Sequence, residues 1–433
     1  MYRGEYQRKL TTAEEAMAAV ADGDTVVHAM ATGEPPALLA ALAQRVRAGD
    51  LKDLHVYSLL PMHTAGETIL APELADKVHA YTWFVSAADR FQVQRGTNHF
   101  IPNEFHQVPR LIREHMQVDL AVSTVSPMDA AGFFSFGAVN DYITTAARCC
   151  KRLVVEVNPN MPRVFGQSQL HISEVDAVVE NQAELLEYTP APARPEAAAI
   201  GRTIAEMIPD GATLQLGLGG IPNAVTRYLE NHRDLGIHTE LFCPGMTDLI
   251  KKGVINGRRK NLHPRKHVFT NALGTREMYR FMHDNPSMAA YPVSHTNSPE
   301  VIAQNDNLIS INSTIEVDLE GQCNSEFLGG YQFSGTGGQL DFVRGAYNSR
   351  GGKSIIAFYS TAKDGEVSRI VPRLGAGTMV TTPRMDTHYL ATEYGVVNLK
   401  GRSTRQRALD IISLAHPKFR DDLLQEAQKM HLL

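Results

Sequence analysis

One glutamate, Glu240, occupies a place in the sequence that allows its carboxylate two chemical uses. It lies in the strand-like run 236–242 (GIHTELF), a short step after a glycine-rich turn at 215–222 (QLGLGGIP). A carboxylate in that position could hydrogen-bond to the ribose of a dinucleotide, or it could attack an acyl group as a nucleophile. The choice between these two uses decides the function of the chain.

Two glycine-rich segments could bind anionic groups close to such a carboxylate. The first, the turn at 215–222, stands between a predicted strand and a predicted helix, where backbone N–H groups can approach a phosphate. The second, at 334–339 (SGTGGQ), has three glycines in four residues and could form a cradle of N–H groups for a phosphate or an oxyanion. The run at 322–326 (QCNSE) adds an amide and a hydroxyl that could join the same pocket.

An internal repeat indicates how these residues are positioned. The segment 20–42 resembles 208–229, and 126–132 resembles 315–321 at nearly the same offset. In this alignment Tyr57 takes the place of Glu240, so the acid belongs to one half alone. We therefore predict a duplicated domain rather than a solenoid, because the repeat period is far above the range of solenoids.

Each copy alternates short apolar strands with helices, which predicts parallel sheets covered on both faces. In the first copy we expect strands at 25–30 and 54–60 and a helix that starts at Pro35. A proline-rich run at 189–195 is the predicted linker. The sequence thus predicts two homologous open α/β domains, 1–188 and 189–433, with mainly parallel sheets and the active site in the cleft between them.

Composition excludes several classes of protein. The 433 residues are 43% hydrophobic with a net charge of −5, so we expect folded cores and neither nucleic acid nor a membrane as partner. Four cysteines in so long a chain are not a disulfide framework. The sequence shows no signal-peptide pattern and no apolar run long enough to span a membrane, so we expect a cytoplasmic location.

The histidines do not form a recognisable metal motif. The nearest cluster is His99, Glu104 and His106 in a proline-containing loop, where hydrogen bonding is a better explanation than a metal. We predict no metal site. His238 lies two residues before Glu240 on the same strand face and is expected to be a buried histidine, and Trp83 is expected in a core.

Motifs along almost the whole chain resemble the class I coenzyme A transferases of the acetyl-CoA hydrolase/transferase family, and within it the 4-hydroxybutyrate CoA-transferases. The order and spacing of the motifs carry this resemblance: 161–163 (MPR), 171–173 (HIS), 217–223 (GLGGIPN), 238–240 (HTE), 334–342 (SGTGGQLDF), 393–399 (EYGVVNL), 401–403 (GRS) and 415–417 (AHP).

The resemblance implies that Glu240 is a nucleophile that forms an acyl anhydride and then a thioester with coenzyme A. We assign oxyanion stabilisation to the N–H groups of Gly337 and Gly338, with the Asn324 amide as a helper. The resemblance also implies coenzyme A contacts from the first glycine loop, from backbone near Ile315 and from Lys363. The loop residues concerned are Gly217, Leu218, Gly219, Gly220 and Ile221.

Coenzyme A is then a co-substrate, no tightly bound cofactor is expected, and the partners are an acyl-CoA, a small carboxylate and further copies of the chain in a dimer or larger oligomer. Three alternatives stay open. A hydrolase of the same family would let water resolve the anhydride. A nicotinamide-dependent dehydrogenase fits the first glycine turn, although Pro222 replaces the last glycine of that fingerprint. A regulatory protein would bind coenzyme A without turnover.

Overall fold

Two large, mainly parallel sheets flanked by helices form the chain in this computed structural model, which describes residues 2–188, 194–217 and 219–433. The strands are β1 Thr25–His28, β2 Leu54–Ser58, β3 Val78–Thr82, β4 Asn98–Phe100, β5 Leu120–Val125, β6 Phe133–Ser135, β7 Arg152–Val157, β8 Phe165–Gly166, β9 Gln169–His171, β10 Ala177–Glu180, β11 Thr213–Leu216, β12 Gly236–Phe242, β13 His267–Ala272, β14 Met288–Ala290, β15 Leu308–Asn312, β16 Glu316–Asp318, β17 Cys323–Asn324, β18 Phe327–Leu328, β19 Tyr331–Gln332, β20 Lys353–Ala357, β21 Thr361–Ala362, β22 Val367–Ser368, β23 Ile370–Val371, β24 Tyr389–Thr392 and β25 Gly395–Asn398.

The α-helices are α1 Tyr2–Lys9, α2 Ala13–Met17, α3 Pro36–Ala48, α4 His63–Glu67, α5 Arg90–Arg95, α6 Val108–His115, α7 Ile143–Cys149, α8 Pro195–Glu206, α9 Gly220–Thr226, α10 Pro244–Lys251, α11 Arg276–Met282, α12 Val293–Thr296, α13 Pro299–Ile302, α14 Gln339–Asn348, α15 Thr404–Ser413 and α16 Pro417–Lys429. Short 3-10 turns cover Ala31–Gly33, Pro72–Leu74, Phe105–Gln107 and Ile172–Glu174. Among the described helices, none combines the length and the apolar character that crossing a membrane requires.

The first sheet is parallel throughout its described strands, in the order β10-β7-β5-β1-β2-β3-β4. Its central strands are apolar and buried, which suits a sheet covered by helices on both faces. The second sheet has the order β25-β24-β20-β15-β11-β12-β13-β14-β8, and its pairs are parallel except for β24 with β25. The mixed α/β fold with mainly parallel sheets is therefore confirmed.

The two sheets repeat one strand order, since β10-β7-β5-β1-β2-β3-β4 matches β24-β20-β15-β11-β12-β13-β14. This match supports the predicted duplication. The division at residues 188 and 189 stays a prediction, and most of the expected linker, 189–193, lies outside the described residues. Strand β8 crosses that division, because it belongs to the first half of the chain and pairs with β14 of the second sheet.

The strand registers correct one detail of the repeat alignment. Thr25 pairs with His55 in the first sheet, and the equivalent Thr213 pairs with Gly236 in the second. Counting forward from these pairs equates Tyr57 with His238 and places Leu59, not Tyr57, at the position of Glu240. The sequence alignment was therefore wrong by two residues there, because the helix and the loops between the paired strands differ in length in the two halves.

The largest hydrophobic cluster includes residues of both halves of the chain. It contains Trp83 and Tyr142 from the first half together with Phe242 and Phe269 from the second, all almost completely buried. The prediction of a core position for Trp83 is confirmed. A shared core holds the two sheets in a fixed relation, so side chains from both can form one site.

Candidate active site

Glu240 lies at the carboxyl end of β12, a central strand of the second sheet. The strand is buried from Gly236 to Thr239, and Glu240 is half-buried where the strand approaches its end. In open α/β sheets, ligands bind at this edge, in the crevice where the strand order reverses. Here the reversal falls at β11, which has β12 on one side and β15 on the other.

The Glu240 carboxylate contacts two groups from elsewhere in the second half of the chain. Asn297, which follows the short helix α12, donates a hydrogen bond from Nδ2 to Oε2 of Glu240 at 2.6 Å. Gly338 lies so close that a Cβ atom added to it would be 3.1 Å from Cδ of Glu240 and nearer still to Oε2. A side chain at position 338 would therefore occupy the space of the carboxylate.

Burial raises the pKa of Glu240 to about 7, and the negative charges of Asp341 and Asp141 add to that rise. The hydrogen bonds from Asn297 and from the Gly338 backbone act in the opposite direction because they stabilise the charged form. The carboxylate is thus ionised in a substantial fraction of molecules at neutral pH. The carboxylate is also poorly solvated, and a poorly solvated carboxylate is a stronger nucleophile than a hydrated one.

The second glycine loop is held by the first half of the chain. The N–H of Phe105 donates to the carbonyl oxygen of Gly337 at 3.1 Å. The ring of Phe84 lies against Gly335 and Gly337, where a Cβ would meet its ring carbons at 2.9 and 3.2 Å. Gly337 has a φ of +55°, a conformation that glycine adopts easily. The two halves therefore meet at the loop that faces Glu240.

The first glycine loop lies on the neighbouring strand. The N–H of Gly217 donates to Ile311 of β15 at 2.8 Å, and the β11–β12 register puts Gly217 level with Glu240. Gly219 precedes α9, whose first residues are Gly220 and Ile221. Leu218 lies outside the described residues. The structure thus brings this loop to the same sheet edge as Glu240, as the sequence predicts.

Asn324 differs from the expectation. Its Nδ2 donates to Oε1 of Glu316 and to the carbonyl of Phe327, and its Oδ1 accepts from the N–H groups of Glu326 and Phe327. Both amide hydrogens therefore have acceptors inside the loop around β17. In the described structure it is Asn297 whose amide stands beside Glu240, and a helper role for Asn324 stays a prediction.

The remaining predicted coenzyme A contacts lie on loops of the second half. Ile315 donates its N–H to the Asn324 carbonyl at 2.8 Å, directly before β16. Lys363 is exposed in the tight connection between β21 and β22, with a φ of +48°. Both coenzyme A assignments stay predictions.

The sequence analysis missed a chain of three side chains that leads away from Glu240: Asn297 contacts Glu240, Asp341 lies beside Asn297, and His106 contacts Asp341. The Asn297 amide also lies 3.5 Å from Oδ2 of the buried Asp341. His106 contacts Oδ1 of Asp341 through Nδ1 at 2.6 Å. His106 was expected to form loop hydrogen bonds, and it does, but with a residue that follows the second glycine loop. Only the position of Asp341 inside the SGTGGQLDF motif could have signalled this contact.

The carboxylates of Glu104 and Asp341 and the His106 ring come close enough together to contact one ion. Arg344 donates to Oε1 of Glu104 at 2.8 Å, and Asp341 has His106. Each carboxylate thus already has a cationic or hydrogen-bonding partner. The absence of a metal site stays a prediction.

His238 is buried, and its Nε2 contacts the carbonyl oxygen of Thr296 at 2.7 Å. Burial lowers the pKa of His238 to about 3, so the ring is neutral and donates this hydrogen bond. The prediction of a buried histidine is confirmed. The contact also fixes the backbone directly before Asn297, so His238 supports the partner of Glu240 rather than Glu240 itself.

Comparison with known proteins places the chain in a family. The acetyl-CoA hydrolase/transferase N-terminal domain matches residues 1–188, and the C-terminal domain of the same name matches residues 274–427. A succinyl-CoA:cyclohexane-1-carboxylate CoA transferase of Geobacter metallireducens is 44% identical over 99% of this chain and 97% of its own length. A 4-hydroxybutyrate coenzyme A transferase of Clostridium kluyveri is 44% identical over 98% of both chains.

Solved structures give the same result. RipA from Yersinia pestis has 50% sequence identity and a TM-score of 0.97 over 100% of both chains. A 4-hydroxybutyrate CoA-transferase from Porphyromonas gingivalis has 38% identity and a TM-score of 0.86 over 99% of this chain and 100% of its own. The chain belongs to the acetyl-CoA hydrolase/transferase family, which confirms the resemblance seen in the sequence and counts against a nicotinamide-dependent dehydrogenase.

Proposed function

We propose that the chain is a CoA-transferase that moves coenzyme A between an acyl-CoA and a short-chain carboxylate, with Glu240 as the covalent nucleophile. The observation that carries this proposal is the half-buried Glu240 carboxylate at the carboxyl edge of β12, held by Asn297 at 2.6 Å and facing Gly338. Its burial makes it a poorly solvated anion, which is the property that a carboxylate nucleophile needs.

The first half of the proposed reaction transfers the acyl group. An oxygen of Glu240 attacks the thioester carbonyl, the C–S bond breaks, and an acyl-glutamyl anhydride and the CoA thiolate form. The thiolate then attacks Cδ of Glu240, the anhydride C–O bond breaks, and the original acyl group leaves as a carboxylate. The enzyme now carries a glutamyl-CoA thioester.

The second half repeats these steps in reverse with a different carboxylate, which leaves as the new acyl-CoA and regenerates Glu240. Each nucleophile is already an anion, so the cycle requires no separate general base. It requires donors for each tetrahedral oxyanion, and one good donor contributes about 3 kcal/mol. The Asn297 amide and the Gly338 N–H lie nearest to Glu240. We assign the N–H of Gly337, in the same glycine loop as Gly338, as a further donor.

The loops around Glu240 support the proposed path of coenzyme A. Gly217, Gly219, Gly220 and Ile221 stand at the strand edge beside Glu240, where a glycine backbone leaves room for the pantetheine arm and thioester. The exposed ammonium group of Lys363 suits a phosphate of coenzyme A as a point charge. Backbone near Ile315 would contact the part of coenzyme A that lies between the thioester and that phosphate.

The relatives guide the choice of carboxylate. Four relatives matched over 88% or more of their own length carry names with 4-hydroxybutyrate, butyrate and acetate, succinate and propanoate, or cyclohexane-1-carboxylate as acyl partners. We propose acetate and 4-hydroxybutyrate, or a similar short acid, for this chain. A homodimer or larger assembly and a cytoplasmic location remain part of the same proposal.

A hydrolase is the second candidate, since an acetyl-CoA hydrolase of Yarrowia lipolytica is 27% identical over 58% of this chain and 49% of its own length. In that reaction water instead of a second carboxylate would resolve the covalent intermediate. The two reactions share the same covalent intermediate on Glu240 and differ only in the nucleophile that resolves it.

Steady-state kinetics with purified protein separate the two candidates. With acetyl-CoA and 4-hydroxybutyrate, a transferase produces 4-hydroxybutyryl-CoA only when the acceptor is present, and double-reciprocal plots at several acceptor concentrations are parallel. A hydrolase releases free thiol at the same rate without acceptor. The variant Glu240→Ala is the control, and turnover by Glu240→Ala at the unaltered rate would contradict the proposal.

A further inference from the structure

A chain of contacts links Glu240 to a histidine of the other half of the molecule. Nδ2 of Asn297 stands between two carboxylates, 2.6 Å from Oε2 of Glu240 and 3.5 Å from Oδ2 of Asp341. Asn297 and Asp341 are both buried. The position of the amide beside Glu240 therefore depends on where the Asp341 carboxylate lies.

Asp341 in turn is held by His106 at both of its oxygens. The Nδ1 atom of His106 lies 2.6 Å from Oδ1, and the backbone N–H of His106 donates to Oδ2 at 3.1 Å. His106 belongs to the 3-10 turn Phe105–Gln107, and the preceding residue, Phe105, binds the carbonyl oxygen of Gly337. One short turn of the first half thus grips both the glycine loop and the carboxylate that follows it.

We propose that His106 is a positioning residue for the transferase reaction, which acts through Asp341 to keep the Asn297 amide on Glu240 and to balance the negative charge beside it. The inference rests on the proposed function, because it assigns a consequence to the ionisation of Glu240. It adds a residue to the site that touches neither the nucleophile nor a substrate.

The electrostatics of the surrounding groups favour a charged His106. Burial alone would lower the pKa of His106, but the hydrogen bond and charge of Asp341, with Glu104 and Glu300, outweigh it and raise that pKa. Glu104 is itself held by Arg344 at 2.8 Å. A His106 cation beside Asp341 offsets the carboxylate whose charge would otherwise oppose ionisation of Glu240.

Two buried carboxylates that share one amide donor raise each other's pKa. Two negative charges face Glu240: Asp341 from the second half of the chain and Asp141 from the first. Without a cation at position 106, one of the two carboxylates that flank Asn297 is expected to take up a proton at a higher pH. Loss of the His106 charge should therefore move the acid limb of the rate profile upward.

The test is the pH profile of kcat/KM from about pH 5.5 to 9, which reports ionisations of the free enzyme. His106→Gln keeps a hydrogen-bond donor but not the charge, and we expect its acid limb to rise by about one unit, so that kcat/KM at pH 6 falls about tenfold while the alkaline plateau changes little. Asp341→Asn removes the opposing carboxylate and should move the limb downward. The double variant should lose the upward shift.

The matched control is His99→Gln, an exposed histidine a few positions earlier that should leave the profile unchanged. A purely structural role for His106 predicts an equal loss at every pH with no displacement of the acid limb in His106→Gln, and this result would overturn the inference. If His106→Gln does not fold, His106→Asn, which likewise lacks the charge, takes its place in the same profile. Formation of a coenzyme A adduct on Glu240 after incubation with acetyl-CoA tests the proposed function separately. If the unaltered enzyme forms the adduct but the acid limb moves in no variant, only this inference fails. If no adduct forms, the proposed function fails.

Discussion

Substitution of Gly338 by alanine tests whether the second glycine loop shapes the nucleophile. Gly338 has a φ of −94° and a ψ of 10°, which alanine can adopt, so the substitution introduces no backbone strain of its own. The added methyl group would lie 3.1 Å from Cδ of Glu240, and closer than 3.0 Å to Oε2 and to Nδ2 of Asn297. Neither polar atom can stay where it is.

The carboxylate must therefore move by about 1 Å, and a misplacement of that size can reduce a rate by about 100-fold. That factor corresponds to about 2.7 kcal/mol of lost transition-state stabilisation. The loss of folding stability should be smaller, about 1 kcal/mol, because the overpacking is partly relieved when the half-buried Glu240 side chain turns towards the cleft.

The assay is kcat/KM for acetyl-CoA at a saturating acceptor concentration, together with the thermal unfolding midpoint of each protein. Gly375→Ala is the matched control, since the nearest atom to its added Cβ is Oγ1 of Thr378 at an ordinary 3.4 Å. We expect unaltered activity in the control. A Gly338→Ala protein that keeps kcat/KM within about twofold of the original would refute the reasoning, because 100-fold is the loss expected from the displacement.

Two further predictions follow from the pKa of Glu240, which burial raises to about 7. Because only the carboxylate form attacks, kcat/KM should fall about tenfold for each pH unit below that value, measured with short-chain acyl-CoA in buffers of constant ionic strength; a flat profile down to pH 5 would contradict it. The raised pKa also means that the folded protein binds the Glu240 proton more tightly than the unfolded chain does. The stabilisation from protonated Glu240 is therefore complete below the unfolded pKa, near 4.5, and is lost as the pH rises through 7. The side chain of Glu240→Gln cannot titrate. The free energy of unfolding of this variant, relative to the original protein, should therefore rise by on the order of 2 kcal/mol between pH 5 and pH 8 in denaturant titrations. A difference that is constant across this range would show that burial does not destabilise the carboxylate.

Local patterns predicted the strands and the loops well. The run 236–242 is β12 over its whole length, and the expected strands at 25–30 and 54–60 are β1 and β2 with slightly earlier ends. The helix expected from Pro35 begins one residue later as α3. These elements are readable because apolar runs, proline positions and glycine turns are local signals.

Contacts between distant residues were not readable. Asn297 follows the four-residue helix α12, which is too short to leave a periodic pattern, and it reaches Glu240 across 57 positions of sequence. His106 and Asp341 come from different halves of the chain. Asn324 and Asn297 are the same residue type, and only the fold decides that the Asn324 amide bonds within its own turn while the Asn297 amide contacts the carboxylate.

The central claim is that Glu240 carries coenzyme A during turnover, and its most direct test is mass spectrometry of the protein incubated with acetyl-CoA in the absence of acceptor. The account predicts a coenzyme A adduct on the intact chain, mapped to the peptide that contains Glu240, removed by 4-hydroxybutyrate and absent from Glu240→Ala. Turnover of acetyl-CoA and acceptor with no adduct on that peptide, or an adduct that persists in Glu240→Ala, would contradict it.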